Sequence, residues 1–451
     1  MFSDDVIRVL LLQDYNTRVV LLGVAMLGLA SGVIGTFTLL RKRALVGDAA
    51  SHAALPGVAL AFMVMTAFGG DGRFLPGHLL GATLAGVAGM GSILAIRHAT
   101  RLKEDAALGI VLSVYFGLGM ALLGVIQKMR AGHAAGLESF IYGKTASMLA
   151  ADAWIIGGMA VVVLLVCLLL FKELSLLCFD AEYAGSRGYP VRRLDSVLML
   201  LIVITVVAGM QAVGLILMIA LLIIPPAAAR FWTHSLKKSI VIAALIGAVS
   251  GVIGGGISAL AARMPAGAII VVVAGVFFIV SLIFGPAHGV LYRVIHLFQL
   301  RSKTGEQHVL RLLHEYEETT GTQSIPRNTL RRAKSWSSRE LRRVIRRAQR
   351  RGWIRTGTGP HLQLTDAGRK RARQVVRNHR LWEAYLIHYT QVAAHHVDRN
   401  ADQIEHILGA PLVEKLEALV EGHTNEARLP PSPHALSEPP AAPDPGREGG
   451  H

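Results

Sequence analysis

Long apolar segments fill the first 300 residues and constrain the fold more than any other feature of the sequence. They lie at roughly 19–40, 49–68, 78–96, 106–126, 153–171, 196–224, 239–262 and 268–285. A helix needs about 20 apolar residues to cross the ~30 Å of bilayer hydrocarbon. The whole chain is 52% hydrophobic and only 17% charged, which excludes an ordinary water-soluble enzyme. The sequence therefore predicts an all-α polytopic membrane domain over residues 1–298.

The sixth apolar run is unusual because it covers 29 residues, with Gly209, Gln211 and Gly214 near its middle. It is either one tilted helix or two short helices joined near Met210. Lys and Arg concentrate in cytoplasmic loops, and the basic loops of this chain all face the cytoplasm only if this run crosses twice. These loops are at 41–43, 97–103, 172–193 and 230–238. We therefore predict about nine membrane segments in the cytoplasmic membrane, with the N-terminus outside and the C-terminal domain in the cytoplasm.

Asp48 and His52 are ionisable residues in a membrane segment, where such side chains are costly and usually functional. Their i,i+4 spacing places both on one helical face. A carboxylate oxygen and an imidazole nitrogen suit Mn²⁺, Fe²⁺ or Zn²⁺. Pro56 cannot donate to the carbonyl of residue 52, so that oxygen is free for a ligand or water. From spacing alone, an interfacial capping Asp with a His packed beside it is the alternative.

The segment around this pair, residues 39–60, resembles the signature of the membrane permeases of manganese/zinc/iron ABC importers. Residues 138–144, 172–188 and 211–230 resemble three further segments of that family, so the resemblance covers about residues 15–295 in order. It implies that Asp48 and His52 belong to a metal path. It also implies a divalent transition metal (Mn, Zn or Fe) as the substrate, no covalent cofactor, and a transport role rather than an enzymatic one.

Residues 172–188 resemble the cytoplasmic loop by which these permeases dock their ATPase. Acidic and apolar side chains alternate there as in a short amphipathic helix that could lie in a groove of a soluble partner. The residues expected to couple to the ATPase are Glu173, Phe179, Asp180, Glu182 and Gly188. The alternative is an ordinary connecting loop.

The expected partners are separate proteins. The sequence contains no GxxxxGK[ST] nucleotide-binding motif, so we expect a cytoplasmic ABC ATPase subunit. We also expect an extracytoplasmic metal-binding protein, and a permease pair that is either a homodimer or a heterodimer with a related permease.

The charge distribution changes sharply after the membrane half. Residues 301–380 contain 21 Lys and Arg against six acids, a net charge of +15. Apolar periodicity predicts a helix near 309–316 and a second over 337–352, opened by an N-cap at Ser337. A two-stranded hairpin over 353–364 follows. Helix–turn–helix followed by a hairpin predicts a mostly α, winged-helix-like domain over 301–366.

One face of the second of these helices is rich in arginine. Such a face attracts the phosphates of nucleic acid or the head groups of anionic lipid, and the sequence leaves both open. The residues concerned are Arg339, Arg342, Arg343, Arg346, Arg347 and Arg350. DNA is therefore a candidate partner of this domain.

Residues 305–422 resemble the iron/manganese-dependent repressor family on the segments 364–368, 376–383 and 401–406. The resemblance implies a helical metal-binding and dimerisation domain over 367–428 and a divalent metal as a regulatory ligand. A tail rich in Pro and Gly at 429–451 is expected to be disordered. The family's ligands carry over to His379, Glu383, Asp402, Glu405 and His406, with His308 as a weaker candidate.

One residue departs from the repressor pattern, because Asp398 stands where some repressors have a further His ligand. A repressor scaffold that is kept without metal is the alternative for this domain. For the whole chain, the main interpretation is the permease subunit of an ABC importer for a divalent metal. The rival interpretations are a membrane-tethered, metal-responsive transcriptional regulator and a secondary metal transporter that does not use ATP.

Overall fold

The computed structural model of the chain describes residues 13–70, 74–129, 148–260, 265–333, 336–357 and 361–390. It divides into two compact units, Met1–Arg293 and Val294–His451. The first unit is built from helices. In chain order they are α1 (Tyr15–Leu40), α2 (Val46–Ala67), α3 (Leu75–Ala99), α4 (Glu104–Lys128), α5 (Ala150–Leu169), α6 (Phe171–Phe179), α7 (Ala181–Ser186), α8 (Val191–Val213), α9 (Leu215–Ala229), α10 (Leu236–Leu260) and α11 (Ala266–Phe284).

Eight helices in the described ranges are long and apolar enough to cross a membrane, namely α1–α5, α8, α10 and α11. The apolar α9 has only 15 residues, which span about 22 Å. Eight long helices and this shorter one agree with the prediction of about nine segments.

The sixth apolar run forms two helices, as the basic loops predict, but the break lies at Gly214 rather than near Met210. Gly214 has φ +85°, a conformation that glycine adopts without the steric cost of a Cβ atom. The run also begins earlier than its hydropathy suggests, at Val191, so α8 has 23 residues. Only α9 is therefore short for a full span.

The core of the first unit lies where α1, α2 and α8 meet. Phe37, Phe62, Leu198 and Ile202 are fully buried there. On the other side of α1, a Cβ atom added to Gly28 would lie 2.4 Å from the Gly247 carbonyl oxygen of α10. Small residues allow membrane helices to pack backbone against backbone in this way. The helix α2, which carries Asp48 and His52, packs mainly against α3 and α4 and also contacts α8.

The second unit contains the part of α12 (Val290–Thr320) that follows Arg293. After it come β1 (Ile325–Pro326), α13 (Arg327–Ala333), α14 (Ser338–Arg350), β2 (Ile354–Thr356), β3 (His361–Leu364) and α15 (Asp366–Thr390). The strands form an antiparallel sheet in the order β1-β3-β2. The predicted winged-helix pattern is confirmed. In addition, the short strand β1 pairs with β3 of the predicted hairpin. Ser337 caps α14 as expected, because its hydroxyl accepts the Glu340 N–H at 3.2 Å.

Candidate metal path and coupling site

Asp48 and His52 lie one turn apart in the first part of α2, with Asp48 Oδ1 3.2 Å from His52 Nε2. Both side chains are mostly buried, 25% and 17% exposed. The His52 ring packs edge to face against Phe116 of α4 with its centroid 4.9 Å away. His52 Nδ1 is buried and has no hydrogen-bond partner among the described residues. The pair therefore keeps one ligand-type atom, His52 Nδ1, that no described side chain satisfies.

The 3.2 Å separation has a specific chemical meaning. Ligand atoms bonded at about 2.0–2.2 Å to one tetrahedral or octahedral ion lie roughly 2.8–3.6 Å apart. The carboxylate oxygen and the imidazole nitrogen could therefore occupy two neighbouring positions on the same ion. In the described ranges no cluster of three or more His, Cys, Asp or Glu side chains is arranged for a metal. Two protein ligands leave other positions for water, and such partial coordination favours passage over permanent retention.

A network of ion pairs lies just before this pair in the chain and was not predicted from the sequence. Arg43 is 4% exposed and contacts Asp195 of α8 at 2.6 Å and Glu104 of α4 at 2.5 Å. Arg97 of α3 reaches the other oxygen of Glu104 at 3.1 Å. Arg43 is thus a buried junction between α4 and α8, extended to α3 by Arg97, as well as part of a topology signal.

Arg41 connects this network to the expected docking segment. Its guanidinium donates to the Leu177 carbonyl oxygen of α6 at 2.9 Å and to Asp195 at 3.2 Å. The Cys178 thiol of α6 points at the Phe37 carbonyl oxygen of α1, 3.7 Å away. Burial raises the pKa of Cys178 to about 12, so the thiol stays protonated. The α6 helix is therefore attached to α1 and, through Asp195, to α8.

The docking segment is two short helices, α6 and α7, rather than one. Asp180 has an extended backbone between them and caps α7 by accepting the Tyr183 N–H at 2.8 Å. Leu174 and Leu177 are fully buried on one side, whereas Phe179 is 69% exposed on the other. Glu173 is half-buried, Glu182 is exposed, and Gly188 follows α7 with φ +83°.

Phe179 also lines a cavity of about 190 Å³ together with Arg230, His234 and His288. The two imidazole rings meet edge to face with centroids 4.6 Å apart. In the sequence these histidines are scattered in separate loops, and only the packing of α10 and α11 brings them together. The cavity places polar groups beside the exposed aromatic ring of the docking segment.

The ligands expected in the second unit are only partly described. His308 on α12 and His379 on α15 are buried, 7% and 3% exposed. The side chain of Glu383 and all of Asp402, Glu405 and His406 lie outside the described residues. Arg311 of α12 places Nη1 2.8 Å from Nδ1 and 2.9 Å from Nε2 of His379. A cation therefore lies against this imidazole.

The arginine face of α14 is exposed, as predicted. The opposite face is apolar, with Leu341, Ile345 and Ala348 buried in the core of the unit. The exposed residues are Arg339, Arg342, Arg343, Arg346, Arg347 and Arg350. In the core below them, burial raises the pKa of Glu306, and the nearby Arg351, 2.8 Å away, opposes that shift.

The comparisons with known proteins agree with this architecture. Residues 13–285 match the ABC 3 transport family, and residues 365–434 match the iron dependent repressor, metal binding and dimerisation domain. The manganese transport system membrane protein MntC of Bacillus subtilis is 40% identical over 390 residues, which are 85% of this chain and 86% of MntC.

Two further relatives cover mainly the first unit. The zinc transport system membrane protein TroC of Treponema pallidum is 43% identical over 284 residues, 63% of this chain and 94% of TroC. A solved structure of PsaBC from Streptococcus pneumoniae in complex with Fab superposes with a TM-score of 0.56 at 31% identity. It covers 66% of this chain and 100% of the PsaBC chain.

Both resemblances inferred from the sequence are thereby confirmed, since the ABC 3 match spans more than half of the chain and the repressor match falls on its C-terminal side. The chain is a multi-pass membrane protein that belongs to the ABC 3 transport family and is fused to a repressor-type metal binding and dimerisation domain.

Proposed function

We propose that this chain is the permease subunit of an ABC importer that moves Mn²⁺, Zn²⁺ or Fe²⁺ across the cytoplasmic membrane. It is a transport subunit and not an enzyme. The observation that carries the proposal is the Asp48–His52 pair, two ligand-type groups 3.2 Å apart inside an apolar helix. The names of MntC and TroC support manganese or zinc as the cargo. Carboxylate and imidazole ligands do not discriminate sharply between these ions.

The direct experiment measures uptake of Mn²⁺, Zn²⁺ and Fe²⁺ in cells that lack the chain and in cells that regain it. Restored uptake of one of these ions would support the permease role and identify the cargo. A secondary transporter would restore uptake without an ATPase, so the cells should also be tested with the ATPase gene removed. Uptake that persists without the ATPase would contradict the ABC assignment.

The partners of the proposed importer are a cytoplasmic ABC ATPase, an extracytoplasmic metal-binding protein and a second permease, identical or related. The docking surface for the ATPase is the segment α6–α7, where the exposed Phe179 can enter a groove as a helix-borne anchor. The chain's second unit would then lie in the cytoplasm, on the same side as the ATPase.

Coupling between ATPase and metal path would follow the ion network. A push on α6 acts on Arg41 through the Leu177 carbonyl, and Arg41 shares Asp195 with Arg43. Arg43 lies five residues before Asp48. Motion of the docking segment therefore reaches the start of α2, where the metal ligands are. ATPase closure would change access to the pair by this route, with each state of the permease favoured by its own contacts.

We predict that Phe179→Ala weakens ATPase binding and uncouples hydrolysis from transport. Loss of an aromatic anchor at an interface typically costs about 2 kcal/mol, roughly 30-fold in Kd. Gly188→Ala should act similarly because an L-residue at φ +83° is strained by about 1 kcal/mol. Co-purification and metal-stimulated ATPase rates measure both effects. Trp154→Ala, 81% exposed at the beginning of α5, is the matched control, and equal losses in that variant would argue against a specific dock.

The second unit is proposed to respond to metal and to contact phosphate groups. Regulatory metal would be held by Asp402, Glu405 and His406, with Glu383 as a further ligand. The α14 arginines occupy the second helix of a helix–turn–helix, which is the usual nucleic-acid contact in this motif. A metal sensor on the permease itself could adjust import to the internal metal level.

We predict that changing Arg342, Arg346 and Arg350 together to Gln weakens DNA binding by the full chain. The slope of log K against log salt is negative. Its magnitude should fall by about 0.9 for each replaced arginine that pairs with a phosphate. The measurement is binding of duplex DNA to the chain in neutral-lipid nanodiscs over a salt series. Unchanged DNA binding, with binding to anionic vesicles abolished instead, would assign the arginine face to lipid.

A further inference from the structure

Arg311 and His379 form a buried contact between the first and last described helices of the second unit. They are 68 residues apart in sequence, and their side chains are 7% and 3% exposed. The guanidinium Nη1 approaches both ring nitrogens, at 2.8 and 2.9 Å. The imidazole therefore faces a positive charge and not an empty space.

A carboxylate also lies against this cation. Glu315 lies one turn further along α12, and its Oε1 is 3.3 Å from Arg311 Nε, with both side chains mostly buried. Arg311 is thus held between an imidazole and a carboxylate, the same two donor types that bind a divalent transition metal. The difference is that the charge here is covalently part of the chain.

We infer that the Arg311 guanidinium, rather than a metal ion, fastens α12 to α15 at His379. A guanidinium stays protonated in proteins, so this connection does not depend on the metal concentration. A divalent cation bound at His379 would have to approach within a few ångströms of that charge and would be repelled. His379 is therefore a structural residue in this chain.

The inference rests on the proposed regulatory role of the second unit, and it removes His379 from the set of metal ligands in that unit. Metal sensing would depend on Asp402, Glu405 and His406, and it would act on a unit whose α12–α15 contact is already made. The metal would then influence other contacts of the unit, because an effector shifts an equilibrium only through differential interactions with the two states.

The test uses the full chain in nanodiscs and Mn²⁺ as the probe. Bound Mn²⁺ per chain is measured by equilibrium dialysis, and hydrogen exchange reports the protection of α12 with Mn²⁺ or with EDTA. In the parent, EDTA should leave this protection unchanged, and His379→Ala should lower it without lowering Mn²⁺ affinity. Arg311→Glu should bind one additional Mn²⁺ and should be protected only when Mn²⁺ is present. Adding His379→Ala to that variant should weaken the new site about tenfold or more.

Arg371→Glu, the same charge change at an exposed position of α15, is the control and should gain no metal. The inference is overturned if EDTA loosens α12 in the parent, or if His379→Ala alone reduces the parent's Mn²⁺ affinity. It is also overturned if Arg311→Glu folds and gains no ion. If Arg311→Glu does not fold, the effect of EDTA on the parent and the Mn²⁺ affinity of His379→Ala still test the inference. A parent chain whose second unit binds no Mn²⁺ would refute the sensing role alone.

Discussion

Replacing Asp48 or His52 by alanine is expected to abolish metal uptake while the protein still reaches the membrane. Each change removes one of the two adjacent ligand atoms that lie 3.2 Å apart. Loss of even an outer-shell partner of a metal ligand typically costs about 10–100-fold in affinity, so uptake should fall at least tenfold. The measurement is uptake of radioactive or isotopically enriched metal in cells, normalised to the amount of chain in the membrane.

Matched controls separate loss of a ligand from loss of a charge or a ring. Asp105→Ala removes an exposed acid from the first turn of α4, and His98→Ala removes an exposed imidazole at the end of α3. Both variants should transport normally. Asp48→Glu keeps the carboxylate and should retain more uptake than Asp48→Ala. Normal uptake in both Asp48→Ala and His52→Ala would remove these residues from the metal path.

Arg43→Ala is expected to produce the largest loss of stability in the first unit. Arg43 is 4% exposed and joins Asp195 to Glu104, so its removal leaves two buried or half-buried carboxylates short of a cation. Breaking a buried ion pair by removing one partner typically costs about 3–5 kcal/mol. Thermal unfolding of the purified chain should therefore shift strongly downward, and uptake should fall because α2 loses its anchor to α8 and α4.

Lys42→Asn provides the control for this second prediction. Lys42 is the exposed neighbour of Arg43 and has φ +59°, which asparagine tolerates. The substitution Lys42→Asn removes one positive charge from the same loop, and it should change the free energy of unfolding by less than about 0.5 kcal/mol. If Arg43→Ala unfolds at the same temperature as Lys42→Asn, the buried network does not stabilise the unit. Arg43→Lys should retain only part of the thermal stability, because a lysine ammonium cannot make both contacts with the geometry of a guanidinium.

Local patterns in the sequence were sufficient for the helices and for the pairs within one helix. The predicted run 106–126 became Glu104–Lys128, and the run 49–68 became Val46–Ala67. Length and hydropathy decide membrane helices because unsatisfied backbone groups are intolerable in hydrocarbon. The i,i+4 spacing of Asp48 and His52 and the cap at Ser337 are likewise properties of a few consecutive residues.

Contacts between distant segments needed the tertiary structure. Arg43 and Asp195 are 152 residues apart, and Arg311 and His379 are 68 apart. In the sequence Arg43 is one of three basic residues in a loop, and His379 is one histidine in the segment 376–383 that resembles the repressor family. Neither periodicity nor charge predicts which side chains will lie beside Arg43 and His379 after folding. The sequence by itself determined which segments are helical and which residues have the chemistry of ligands, because both depend on local spacing. Only the tertiary structure decided which charges meet, because a buried charge is stabilised by whatever the folded chain places beside it.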